Sequence, residues 1–198
     1  MKSRIHAIEV ASFGQLSDGR EAQIYTLSNQ SGMSAAVSDY GATLVSVFTP
    51  DRDGEIQDLL HGYDSVEGYA GSTNPYFGNS IGRFGNRISE GKFSLDGKDY
   101  TLATNNDPGG ASCHLHGGVD GFNRRFWAAT PKPDKNAITF TYVSVDGEEG
   151  YPDRLTTHVT YQLNDDNELS WTAVATTDAP TILNIVCLLY TSDAADDA

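Results

Sequence analysis

Three stretches near the end of the chain alternate apolar and polar residues with a period of two, and that pattern admits little besides antiparallel β-sheet. Ile138, Phe140 and Tyr142 alternate with threonines; Leu155, Thr157, Val159, Tyr161 and Leu163 repeat the pattern, and Leu169, Trp171, Ala173 and Ala175 do so again. Asn164-Asp165-Asp166-Asn167 separates the last two stretches. Asp-Gly pairs at Asp18-Gly19, Asp53-Gly54, Asp96-Gly97 and Asp146-Gly147 supply the dipeptide that accepts positive φ in tight hairpins. Phe93 and Leu95 before Asp96-Gly97, with Tyr100 and Leu102 after it, form the clearest hairpin. One short helix is expected at Asp64-Ser65-Val66-Glu67, with Asp64 as cap, Glu67 at the capping-box position and Gly68 as the stop. No long amphipathic helix, internal repeat or interdomain linker is visible. These features predict an all-β domain, a β-sandwich of many short strands.

At 198 residues the chain is long enough for one domain, and a chain of this size buries roughly 70% of its unfolded surface. Thirteen Lys and Arg against twenty-seven Asp and Glu give a net charge of -14. Such a surface repels phosphate backbones and anionic lipid heads, so nucleic acid and membranes are expected to be poor partners. Met1 to Val10 contains no apolar core of signal-peptide length. The longest apolar-rich run, Ile182 to Tyr190, falls short of the ~20 residues that span a bilayer. The expectation is a soluble, cytoplasmic protein. Cys113 and Cys187 are too few for a disulfide framework.

The chemistry concentrates in Phe77-Gly78-Asn79-Ser80-Ile81-Gly82-Arg83-Phe84-Gly85-Asn86-Arg87-Ile88, answered by His114-Leu115-His116-Gly117-Gly118. Two arginines, an asparagine and two histidines among glycines make a donor-rich set with little bulk, suited to a small polyhydroxylated ligand. In an extended segment His114 and His116 would project to one face and meet one ligand. The same pair would serve a metal only with a third ligand, and Cys113 would point the opposite way. The alternative for either histidine is a hydrogen-bonded structural role, and His116 is the stronger binding candidate because the glycines after it let a ligand approach. For Arg83 and Arg87 the alternative is pairing with a carboxylate at the edge of the core. The glycines match neither the dinucleotide fingerprint nor the phosphate loop, so no nucleotide cofactor is expected.

Several separate stretches together resemble the aldose 1-epimerase, or galactose mutarotase, family. They are Asp39-Tyr40-Gly41-Ala42-Thr43-Leu44, Asp51-Arg52-Asp53-Gly54, Pro75-Tyr76-Phe77-Gly78, Gly82-Arg83 with Asn86-Arg87-Ile88, Leu115-His116-Gly117-Gly118 with Gly121-Phe122 and Trp127, and Asp146-Gly147-Glu148-Glu149-Gly150-Tyr151-Pro152. The resemblance runs from about Ser34 to Asn184. It implies a large antiparallel β-sandwich, a free aldohexose such as galactose or glucose as substrate, no cofactor and no metal. Among the site residues it implies that Asn86, Arg87 and His116 bind the sugar, with Arg83 and His114 as further candidates. The implied reaction interconverts α and β anomers: a general base takes the proton of the anomeric hydroxyl, a general acid protonates the ring oxygen, and the open aldehyde rotates and recloses.

The resemblance fails after Pro180-Thr181-Ile182-Leu183-Asn184. Leu188 stands where the family's acid histidine is expected, and the base glutamate would lie beyond the end of this chain, so no catalytic residue is assigned, and neither Glu148 nor Glu149 takes the role. The expected organisation is a partial sandwich over residues 1–186, incomplete at its C-terminus, followed by an unrelated acidic, disordered tail over 187–198. Such a piece is expected to bind sugar with little catalysis and to expose an unpaired strand edge that favours association. Two rival expectations remain. One is a hexose 6-phosphate relative enlisting Arg83, Arg124 and Arg125; the other is a non-catalytic carbohydrate-binding module.

Overall fold

A computed structural model describes residues 6–71 and 75–191. The chain opens with five strands, β1 (Glu9–Gln15), β2 (Glu21–Ser28), β3 (Ser34–Ser38), β4 (Thr43–Pro50) and β5 (Ile56–Asp58), which pair in sequence order as an antiparallel meander. A five-residue helix, α1 (Val66–Ala70), follows. Five short strands come next: β6 (Ser80–Ile81), β7 (Arg87–Ser89), β8 (Lys92–Leu95), β9 (Lys98–Thr101) and β10 (Cys113–Leu115). A second meander of four strands is built by β11 (Ala128–Lys132), β12 (Ala137–Ser144), β13 (Leu155–Leu163) and β14 (Leu169–Thr177). The last strand, β15 (Val186–Cys187), returns to pair with β6.

The two meanders face each other across one core, the all-β sandwich expected from the alternation. Leu27, Ala35, Val37, Leu44 and Val47 from the first sheet pack with Ile138, Phe140, Leu155, Val159, Tyr161 and Leu163 from the second. On β13 every second residue from Leu155 to Leu163 is buried, so the period of two read from the sequence is the period of burial. Residues of β14 alternate between half-buried and exposed, with Leu169, Trp171, Ala173 and Ala175 against the core. Tyr25 meets Phe140 edge-on at 5.8 Å, and the Tyr161 hydroxyl donates to Ala42 O across the sheets at 2.9 Å. Aromatic pairs of this geometry add stabilisation beyond the area they bury.

The Asp96-Gly97 hairpin forms as expected. Both turn residues have positive φ, 51° and 76°, and Phe93 stacks on its cross-strand partner Tyr100 at 4.9 Å. The helix departs from its expectation at both ends. Ser65, not Asp64, occupies the cap position, and Gly68 lies inside the helix rather than ending it. A Cβ at Gly68 would fall 2.4 Å from Tyr63 Cγ, so this glycine serves the approach of the Tyr63 ring, and the helix stops at Gly71.

Residues 187–191 also differ from the expectation of a disordered tail beginning at 187. Cys187 pairs with Ser80, the Leu188 amide donates to Asn79 O at 3.2 Å, and its carbonyl accepts from Gly78 N at 2.6 Å. Tyr190 sets its ring on Phe77 at 5.1 Å while its carbonyl accepts from His61 N. Main-chain pairing needs no particular side chain, so these residues extend the β15 ladder whatever their identity. The acidic stretch 192–198 lies outside the described residues. No helix among the described residues is long and apolar enough to cross a membrane.

Asp39 gives this fold a pH dependence. Its carboxylate accepts from the Gln23 amide at 2.9 Å, but burial outweighs that bond and pushes its pKa up from 3.8 to about 6. The folded chain therefore holds a proton over a range in which the unfolded chain has released it. Stability from this group is fully present below about pH 4 and is lost as pH rises through about 6. Urea unfolding should show the wild type losing on the order of 2 kcal/mol relative to Asp39→Asn between those limits; parallel pH profiles for the two proteins would refute the assignment.

Candidate functional site

The short ladder of β7 with β10 builds the site. Its register, Ser89 with Cys113, Ile88 with His114 and Arg87 with Leu115, brings Asn86 and His116 side by side where the two strands end. There the backbones of Asn86 and His116 both turn left-handed, at φ 67° and 53°. The Asn86 amide donates to His116 Nδ1 at 3.0 Å, and the His116 amide donates to Asn86 O at 3.1 Å. Arg87 is fixed alongside, its Nε donating to Asn106 Oδ1 at 3.1 Å and its Nη1 to Asn86 Oδ1 at 3.4 Å. Tyr76, another left-handed residue at φ 67°, sets its ring edge-to-face on His116 at 4.7 Å. Left-handed residues other than glycine are uncommon, and their concentration around one imidazole marks a backbone held by its surroundings for the sake of side-chain placement.

The glycines behind His116 are required by contact as well as by φ. At Gly117, φ 83°, a Cβ would lie 1.7 Å from Gly82 O. Asn105 fastens the same turn, since its Nδ2 donates to Leu115 O and Gly118 O at 3.0 Å each and its Oδ1 accepts from Leu115 N at 2.7 Å.

The hydrogen bonds also assign the proton on His116. Nδ1 accepts from the Asn86 amide, so the neutral ring carries its hydrogen on Nε2. Burial lowers the pKa of His116, and the neighbouring Arg87 lowers it further. Near neutral pH the site therefore combines an uncharged imidazole donor with a permanently charged guanidinium. Asn86 and Arg87 are exposed and His116 is half-buried, so the group is open to a ligand and offers more donors than acceptors. Such a set suits hydroxyl oxygens.

Asn86, Arg87 and His116 are thus brought together, whereas the two further candidates lie inside the protein. His114 is fully buried; its Nδ1 meets Ala103 O at 2.7 Å and its Nε2 meets the Tyr151 hydroxyl at 2.7 Å. With a carbonyl at Nδ1, the ring hydrogen sits there and the tyrosine donates to Nε2. Both nitrogens are engaged, so the ring has no lone pair left for a ligand or a metal. The expected common face with His116 does not form, because β10 ends at Leu115 and the left-handed turn at His116 breaks the strand period.

Arg83 is 1% exposed, and its partner is not the carboxylate anticipated for a core-edge arginine. Nε donates to Ser144 Oγ at 2.9 Å, Nη1 to Pro152 O at 2.7 Å and Thr181 Oγ1 at 3.3 Å, and Nη2 to Ser144 O at 3.1 Å and Val145 O at 2.9 Å. Arg125 pairs with Glu148 at 3.0 Å, and Arg124 Nη1 donates to Ala70 O at 3.2 Å. All three arginines that a phosphate site would need are engaged by protein groups, Arg83 and Arg125 by the segment 144–152 and Arg124 by the end of α1. Tyr76, Asn105 and Asn106 join the site only in the structure: Tyr76 lies in the family-like run Pro75-Tyr76-Phe77-Gly78, but no spacing rule ties either asparagine to His116.

A family model described as aldose 1-epimerase matches residues 23–186, which include every residue of this site. The chain belongs to the aldose 1-epimerase family. It is 44% identical to galactose mutarotase of Bos taurus over 128 residues, 65% of this chain and 35% of the relative. It is 37% identical to aldose 1-epimerase of Escherichia coli strain K12 over 173 residues, 87% of this chain and 48% of the relative. Galactose 1-epimerase from Lactobacillus acidophilus superposes with a TM-score of 0.80 at 28% identity, covering 94% of this chain and 53% of that one. A GalM/aldose epimerase homologue from C. elegans gives 0.79 at 31% identity, covering 86% and 51%. The chain therefore spans about half the length of these epimerases, or less. Asn86, Arg87 and His116 lie on the segments that link the two large sheets.

Replacing Arg83 tests its structural role. Arg83→Met leaves several buried carbonyl and hydroxyl oxygens without donors, and the expected cost is roughly 3 kcal/mol or more. Chemical denaturation measures it, and a loss below about 1 kcal/mol would show that those oxygens have other donors.

Proposed function

We propose that this chain carries the sugar-holding part of an aldose 1-epimerase and binds a free aldohexose such as galactose or glucose at Asn86, Arg87 and His116. One observation carries the reading: a guanidinium, a carboxamide and a neutral Nε2–H imidazole are fastened to one another at the open end of the β7–β10 ladder. Arg87 supplies paired donors to adjacent hydroxyls, His116 donates a single hydrogen, and Asn86 sets the tautomer of His116 through its backbone. Tyr76 offers an aromatic edge beside the same ring.

In this reading the reaction served is ring opening and closing at the anomeric carbon, which needs an acid and a base on opposite sides of one sugar. The resemblance put the acid at the position of Leu188. Leu188 is tied by its main chain to Gly78 and Asn79, two residues along from Tyr76, but its side chain has no proton to give. Binding without turnover is therefore the expected behaviour of this chain. Removing a general acid alone costs on the order of 10²–10⁴ in rate. A cytoplasmic setting belongs to the same reading.

Titration of the isotopically labelled chain with galactose should shift the resonances of Asn86, Arg87 and His116, and Arg87→Ala should weaken binding about tenfold, or ~1.4 kcal/mol. Affinity should hold steady from pH 8 down to 6.5 and fall below that, because His116, with its lowered pKa, then takes a second proton and loses the bond from the Asn86 amide. Polarimetry of freshly dissolved α-D-galactose should show only the spontaneous rate. Acceleration would overturn the non-catalytic assignment, and an absence of sugar-dependent shifts would overturn the binding site itself.

A further inference from the structure

We propose that Glu149 is a positioning residue for His116, acting as a carboxylate clamp on the loop that follows it; the proposal rests on the sugar-site reading and deepens it. The Val119 amide donates to Glu149 Oε2 at 3.0 Å and the Asp120 amide donates to Oε1 at 2.9 Å, so one carboxylate holds two successive peptide groups from about thirty residues away in sequence. Bonds from amides to an ionised carboxylate are short and strong. The loop is shaped to receive it. Gly118 has φ 111°, and a Cβ there would stand 2.0 Å from Glu149 Oε2. Any side chain at 118 would meet the carboxylate.

Glu149 is itself held in an unfavourable conformation. Its φ is 51°, in a turn closed by Gly147 N to Tyr151 O at 2.9 Å and Gly150 N to Gly147 O at 3.0 Å. The left-handed turn directs its side chain across to residues 118–120. The consequence falls on His116. Asn105 brackets the imidazole-bearing turn, fixing Leu115 before His116 and Gly118 after it, and Glu149 is a second anchor that fixes Val119 and Asp120 immediately beyond, so the limb leaving His116 is held twice. Release of the second anchor lets the turn relax toward ordinary backbone angles. The bond from the Asn86 amide to Nδ1, which sets the Nε2–H tautomer, is then lost.

Glu149→Gln tests this, since the amide keeps the volume but can accept only one of the two backbone hydrogens well. In the whole chain, hydrogen exchange at Val119 and Asp120 should accelerate at least tenfold. The His116 ring nitrogen shifts should move from the single Nε2–H pattern toward a tautomer mixture, and galactose affinity should fall about fivefold. Glu149→Asp, which keeps the charge with a shorter reach, should give intermediate values of all three and supplies the answer if Glu149→Gln does not fold. Faster exchange with an unchanged His116 ring would overturn the proposal, as would unchanged exchange. If the wild type shows no galactose binding, the sugar reading fails, while the ring shifts and the exchange rates still decide whether Glu149 positions His116.

Discussion

The site depends on a guanidinium that never reaches it. Arg83 follows Gly82, against which Gly117 packs, and precedes Asn86 by three residues; its donors run to the end of β12, to Pro152 and to Thr181. A buried arginine with satisfied donors is a rigid strut, since its planar fork permits few alternative arrangements. The surroundings lower its pKa by desolvation, with Glu148 opposing, and the group stays charged regardless because its ordinary pKa is so high. It fastens the segment carrying Asn86 and Arg87 to the far end of the second sheet, and the binding groups inherit that rigidity.

Around this strut the molecule stores backbone strain where it serves placement. Tyr76, Asn86, His116 and Glu149 all have positive φ without being glycine, and the glycines at 117 and 118 lie where neighbouring atoms leave no room for a Cβ. Two of these places are held by bonds to other parts of the chain: Asn86 by His116, and the turn after His116 by Asn105 and Glu149. The result is a neutral imidazole and a charged guanidinium displayed together at the open end of the β7–β10 ladder. An open, donor-rich surface of this kind favours a small hydrated ligand over an apolar one.

How much of this was legible follows from the range of the forces involved. The sandwich, the Asp96-Gly97 hairpin and the burial pattern of β13 were readable, because each rests on neighbours within a few positions: alternation sets the faces, and the dipeptide sets the turn. The grouping of Asn86, Arg87 and His116 was readable as a motif, although nothing in the spacing stated that one backbone amide would fix the imidazole tautomer. For Arg83 and His114 the sequence left a binding and a structural role open, because the partners that decide it, Ser144, Pro152, Thr181 and Tyr151, lie tens of residues away. The strand period that joined His114 to His116 assumed an extended backbone that His116 does not adopt. The boundary drawn at 186 fell inside a ladder for the same reason, since main-chain pairing is blind to the change in composition that suggested it.

What the sequence alone determined is the class of fold and the chemical character of the ligand site, through local periodicity, turn chemistry and the choice of donors set among glycines. Only the tertiary structure decided which of those donors face outward. A guanidinium or an imidazole is equally content with water, a sugar or a buried carbonyl, and the decision belongs to whichever acceptors the packed chain brings within hydrogen-bond distance, as Pro152 O and Ala103 O are, each at 2.7 Å. That selection is a property of long-range packing, which no single stretch of residues encodes.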